Sequence, residues 1–113
     1  MERYHEDRPW GHFDQFIKDE PCTVKIISVN KGESLSLQYH ERRAEYWYVI
    51  EGNPKVTIDD NITDLREGDE CTIPKGSKHR LEAPYDDIRI LEIATGDFDE
   101  NDIVRLEDKY NRV

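Results

Sequence analysis

Cysteine, glycine and long apolar runs are all scarce in this chain of 113 residues, and each scarcity removes a class of protein. The two cysteines, Cys22 and Cys71, stand far apart with no Cys-x-x-Cys spacing. They exclude a disulfide scaffold or a thiol redox motif and read as reduced, partly buried residues in strand-like sequence. The longest apolar stretches are a few residues, too short for a signal-peptide core or a membrane span. The six glycines form no Gly-rich phosphate loop, so nucleotide transfer is not expected. Basic residues are outnumbered, 16 Lys and Arg against 26 Asp and Glu, a formal charge of -10. Such a surface repels nucleic acid and anionic membranes and argues against both as partners. The expected compartment is the cytoplasm.

What remains fits a single domain over 1–113, long enough for a barrel core with no room for a second domain. Seven short segments rich in β-branched and aromatic residues predict strands: Cys22 to Val29, Ser34 to Tyr39, Glu45 to Ile50, Lys55 to Ile58, Glu70 to Ile73, Lys78 to Glu82 and Asp87 to Ala94. Gly, Pro, Asn or Asp clusters separate most of them. The fold class is therefore all-β, with a polar and aromatic N-terminal arm over 1–20, a barrel over 21–96 and a tail over 97–113. The tail, about Glu100 to Tyr110, is expected to be irregular or to hold a helical turn.

Two spaced blocks carry chemistry. The first runs from Gly32 through Gln38, His40 and Glu45 to Gly52; the second runs from Gly68 through Pro74 and Gly76 to His79. Side chains alternate faces along a strand, so Gln38 and His40 point the same way and a neighbouring strand can bring Glu45 beside them. Turns at Gly52 and Gly76 let further strands return to the same pocket. Two imidazoles, a carboxylate and an amide oxygen make a mixed N/O shell suited to one divalent ion, Zn²⁺ or else Mn²⁺, Co²⁺, Ni²⁺ or Fe²⁺, with positions left for substrate or water. His5 and His12 lie outside both blocks and read as structural or exposed.

The two blocks resemble the paired motifs of the cupin superfamily, small β-barrels of jelly-roll type. Gln38 stands where many cupins have a histidine, and Ala83 stands where the second motif often ends in asparagine. More narrowly, Arg8-Pro9-Trp10-Gly11, Leu35 to His40, Arg43-Ala44-Glu45, Ile73 to Gly76, His79-Arg80-Leu81 and Asp102-Ile103-Val104-Arg105 are similar to type II mannose-6-phosphate isomerases. That domain is usually the C-terminal part of bifunctional guanylyltransferase/isomerase enzymes. The likeness runs from about Arg8 to Arg112. Glu41, Arg42 and Tyr46 replace family histidines, which bears on substrate preference.

The resemblance implies a metal-dependent aldose–ketose isomerase interconverting mannose 6-phosphate and fructose 6-phosphate through an enediol, or alternatively a noncatalytic cupin that binds a sugar or sugar phosphate. Gln38, His40, Glu45 and His79 would hold the metal. Arg43 matches the family's arginine and is a candidate for substrate oxyanion or phosphate, because a planar fork binds two oxygens at once. Arg105 and Arg112, in the tail, are substrate-binding candidates or else surface ion pairs. Glu92, in an apolar strand, is the candidate base if burial raises its pKa; it otherwise pairs with Lys25 or an arginine. Lys25 is a catalytic candidate if it faces inward, where it needs an anion. Trp47 shares strand parity with Glu45 and offers an apolar wall for a sugar. Small cupins commonly pair, which implies a homodimer.

Overall fold

The computed structural model describes residues 3–110 and residue 112. Eleven strands form among them: β1 (Tyr4–Arg8), β2 (Gly11–Gln15), β3 (Cys22–Val29), β4 (Leu37–Tyr39), β5 (Arg43–Glu51), β6 (Lys55–Ile58), β7 (Asn61–Asp64), β8 (Glu70–Ile73), β9 (His79–Glu82), β10 (Ile88–Gly96) and β11 (Val104–Glu107). Two antiparallel sheets face each other, one ordered β3-β10-β5-β8 and the other β11-β4-β9-β6-β7. The two sheets give the all-β, jelly-roll-type arrangement expected from the sequence.

Alternation explains which residues enter the space between the sheets. In β3, Thr23, Lys25 and Ile27 turn inward toward Val29, while Val24 and Ile26 face out. In β5 and β10 the inward sets are Arg43, Glu45, Trp47 and Val49, and Ile90, Glu92 and Ala94. The ladder sets Glu92 opposite Trp47 on one side and Lys25 on the other. As a result the interior is split along its length. Val29, Val49, Val56, Leu81, Ile88 and Ile90 make an apolar core at one end. Gln38, His40, Arg43, Glu45, His79 and Glu92 are buried at the other. Trp47 joins the two, its ring in the core and its N–H in the polar end.

Several expectations change. Among the described residues the tail holds no helical turn: Val104–Glu107 is a strand paired with β4, with Arg105 opposite Gln38. The N-terminal residues form the β1–β2 hairpin, a separate two-stranded sheet that enters neither ladder. Its base meets the body through Phe16 against the rings of Tyr46 and Tyr48 and through Arg3, 3.4 Å from Glu70. Cys22 is exposed because it begins an edge strand on the outward parity, while Cys71 is half-buried; both are free thiols. The Gly52 turn lies at the far end of β5 from Glu45, so it closes the apolar end. The Gly76 turn does border the polar end, donating its N–H to the His40 carbonyl at 2.8 Å.

Candidate metal and substrate site

Three strands bring the site together. His40 follows the last residue of β4, His79 opens β9 opposite Gln38, and Glu45 projects from β5 across the gap between sheets. His40 Nε2 lies 2.9 Å from Glu45 Oε1, and His79 Nε2 lies 3.8 Å from the same oxygen. One ligand atom from each of these three residues lies within 4.8 Å of the other two, the one such group among the described residues. Glu45 is 3% exposed and His79 1%.

The far side of each ring bears on whether this group could hold a cation. His40 Nδ1 sits 2.6 Å from the Asp102 backbone oxygen and His79 Nδ1 sits 3.0 Å from the Ser77 oxygen. A carbonyl can only accept, so both Nδ1 atoms carry hydrogen, and both Nε2 atoms turn inward toward Glu45. Burial lowers the His79 pKa and keeps that ring neutral. For Glu45, burial pushes the carboxyl upward, but hydrogen bonding to His40 and the nearby imidazoles outweigh it and hold the group ionised. Two imidazole Nε2 atoms and an ionised carboxylate thus converge at one buried point. That donor set, with the buried Gln38 on the same wall, fits a divalent ion.

Around these residues lies a cavity of about 250 Å³. Arg43 is buried against its mouth, with Nη2 3.3 Å from His40 Nε2, Nε 3.5 Å from Glu45 Oε1 and Nη1 donating to the Asp99 carbonyl at 3.2 Å. Its guanidinium lies 4.3 Å from the centre of the Phe98 ring. Glu92 lines the same sheet wall, on the neighbouring strand β10. Trp47 Nε1 donates to Glu92 Oε1 at 3.0 Å and to Glu45 Oε2 at 3.2 Å, so one indole bridges the two carboxyl groups. Burial, followed by the proximity of Glu45, pushes the Glu92 pKa up. Glu92 therefore holds a proton under conditions where Glu45 does not.

Lys25 faces inward at the rim and meets Glu100 at 2.9 Å rather than Glu92. Arg105 also lines the cavity, and its Nε is buried with no hydrogen-bond partner among the described residues. Arg112 reaches the rim while its fork binds Asp108, with Nε 2.6 Å and Nη2 3.1 Å from the carboxylate. His5 and His12 are exposed on the hairpin beside Asp14, away from the cavity. Sequence reasoning missed Phe98, Asp99, Glu100 and Asp102, which come from the tail. The Asp102-Ile103-Val104-Arg105 motif marked the end of that segment, but no spacing rule links it to His40.

Residues 2–108 match the family described as mannose-6-phosphate isomerase C-terminal. A mannose-1-phosphate guanylyltransferase of Escherichia coli K12 is 42% identical over 98% of this chain, which spans 24% of that relative. The alginate biosynthesis protein AlgA of Pseudomonas putida is 43% identical over 93% of the chain and 22% of its own length. The chain thus spans about a quarter of the length of these curated relatives. Among solved structures, oxalate decarboxylase from Bacillus subtilis at pH 4.6 superposes with a TM-score of 0.70 at 30% identity, covering 77% of this chain and 24% of that one. CapF of Staphylococcus aureus, at 22% identity and a TM-score of 0.67 over 94% of this chain and 34% of its own, shares the fold. By its sequence match, its cupin architecture and its His-Glu-His cluster, this chain belongs to the mannose-6-phosphate isomerase C-terminal family.

Proposed function

We propose that this chain is a metal-dependent isomerase that interconverts mannose 6-phosphate and fructose 6-phosphate through an enediol. The observation that carries the reading is the convergence of the His40 and His79 Nε2 atoms and the Glu45 carboxylate beside a buried, proton-holding Glu92 and a buried arginine, in one cavity. Gln38, His40, Glu45 and His79 would hold the ion, with zinc the first candidate and Mn²⁺, Co²⁺, Ni²⁺ or Fe²⁺ the others. When bound, it supplies an electrophile that polarises the sugar's carbonyl or orients its hydroxyls.

The chain's own residues supply the rest. Moving hydrogen between C2 and C1 needs a group that can take a proton and return it, and Glu92 is the titratable wall residue poised for that task. Arg43 stands where it can steady a developing oxyanion. Lys25 and Arg105 give a phosphate its counter-charges, and Trp47 gives the sugar an apolar face. Charge supports an anionic ligand: although the chain carries -10 overall, Lys25, Arg43, Arg105 and Arg112 all line this one cavity. The reading carries with it a cytoplasmic enzyme that works as a homodimer.

The test is an isomerase assay of purified chain with each divalent metal. Turnover of mannose 6-phosphate is expected, and His40→Ala should abolish it along with metal binding. Full activity in a His40→Ala/His79→Ala double variant would reject the proposal. The noncatalytic alternative predicts that mannose 6-phosphate raises the melting temperature of the metal-loaded chain while no metal gives turnover.

A further inference from the structure

His40 stands one residue beyond β4, where no ladder bond fixes its ring. The ring's anchor comes from the tail. The Asp102 backbone oxygen accepts the His40 Nδ1–H at 2.6 Å, across 62 positions of sequence. The Asp102 side chain closes the same loop: Oδ1 accepts the Glu41 N–H and Oδ2 accepts the Arg42 N–H, each at 3.0 Å. These are the two residues that directly follow His40. A buried carboxylate therefore spends both oxygens on the backbone beside a metal ligand, while its own carbonyl orients that ligand.

The clasp extends further. The Asp102 N–H donates to the Asp99 carbonyl at 2.9 Å, and that carbonyl also accepts Arg43 Nη1 at 3.2 Å. The Asp97 N–H in turn donates to the Arg42 carbonyl at 3.2 Å. One short tail segment thus fixes a candidate ligand and the candidate oxyanion residue together. No ion-pair partner within 4 Å of the Asp102 carboxylate is present among the described residues, so its role is not that of a surface salt bridge.

We infer that Asp102 is a positioning residue of the metal centre, pinning the Glu41–Arg42 backbone so that its carbonyl holds His40 with Nδ1 protonated and Nε2 aimed at Glu45 and His79. The inference rests on the metal reading of the site. Outer partners of this kind orient the imidazole and fix its tautomer, and their loss typically weakens metal binding by roughly 10- to 100-fold.

Two readouts test it: Zn²⁺ affinity by competition with a chromophoric chelator, and the His40 tautomer by ¹⁵N NMR of the metal-free chain. Wild type should bind Zn²⁺ and His40→Ala should not; a wild type that binds none refutes the metal reading itself. Asp102→Ala should bind about 10- to 100-fold more weakly and lose the preference for the Nδ1–H form. Asp102→Asn, which keeps a carbonyl acceptor for only one of the two N–H groups, should show both effects in smaller measure. If wild type binds and both variants match it in affinity and tautomer, the inference falls. Should Asp102→Ala fail to fold, the Asn variant decides alone: weaker binding with a shifted tautomer supports the role, and wild-type behaviour overturns it.

Discussion

Glu45 and Glu92 project into one cavity from neighbouring strands and share one indole donor, yet burial and partners drive them apart in charge. Glu45 meets two imidazoles and stays ionised; Glu92 meets Glu45 and keeps its proton. Replacing Glu92 by Gln should leave metal binding in place and cut isomerase kcat by roughly 10²- to 10⁴-fold, the usual worth of a general acid–base. An unchanged kcat would move the proton-transfer role elsewhere. The same shift has a stability consequence. A raised folded-state pKa means that the folded chain binds this proton more tightly than the unfolded one. Stability is then fully present below the unfolded value near 4.5 and declines as pH rises toward the folded pKa. The metal-free Glu92→Gln variant should therefore gain on the order of 2 kcal/mol over wild type at pH 9 and little at pH 4, by urea unfolding. Equal curves at both pH values would show that Glu92 ionises freely. Arg43→Lys probes geometry at constant charge: a lysine cannot reach His40, Glu45 and the Asp99 carbonyl together, so kcat/KM should fall by roughly 10- to 100-fold. Wild-type kcat/KM in Arg43→Lys would reduce the arginine to a point charge.

At the scale of elements, legibility followed how strongly each segment was half-buried. Cys22–Val29, Lys55–Ile58 and Glu70–Ile73 coincide with the strands read from β-branched runs and flanking turns. Asn61–Asp64 was missed because all four of its residues are exposed, leaving no apolar alternation to read. Val104–Glu107 was missed because it is a strand only through its partner: the pairing of Arg105 with Gln38 is a tertiary fact, and its local sequence suits a helical turn as well. For the site, the two motif blocks named residues that converge on the cavity, and the resemblance marked Asp102 to Arg105, but the hydrogen bonds by which the tail clasps His40 are tertiary facts like the pairing of β11. The turn that launches the tail can be tested alone. Gly96 has φ +102°, and a Cβ there would lie 2.5 Å from the Arg42 carbonyl oxygen and 3.3 Å from Arg43 Cα. Gly96→Ala should cost about 2–4 kcal/mol from backbone strain and contact with a rigid carbonyl. A urea midpoint equal to wild type would show that the tail can leave β10 by another route.

For the whole molecule, the sheet that carries Glu45 and Glu92 ends in a long uncovered edge. β3 has eight residues and pairs only with β10 among the described residues, so its other side offers a row of free N–H and C=O groups. Such an edge is a template for another strand unless charge, proline or a covering segment blocks it. Here its outward side chains include Val24 and Ile26, 55% and 54% exposed, which is the reverse of protection. Nearby, the β1–β2 hairpin joins neither sheet and carries Trp10 at its tip, 73% exposed; a hairpin of two strands has little stability of its own. A second copy answers both features, because each chain supplies an open edge with apolar flanks and a hairpin in need of a surface. The chain is therefore expected to sediment at twice its 13.4 kDa mass at micromolar concentration. The double substitution Val24→Asp/Ile26→Asp should shift it to monomer while leaving the fold intact, since both side chains face away from the core. A wild type that sediments at 13.4 kDa throughout that range would remove the homodimer. A double variant that stays dimeric would place the interface away from β3.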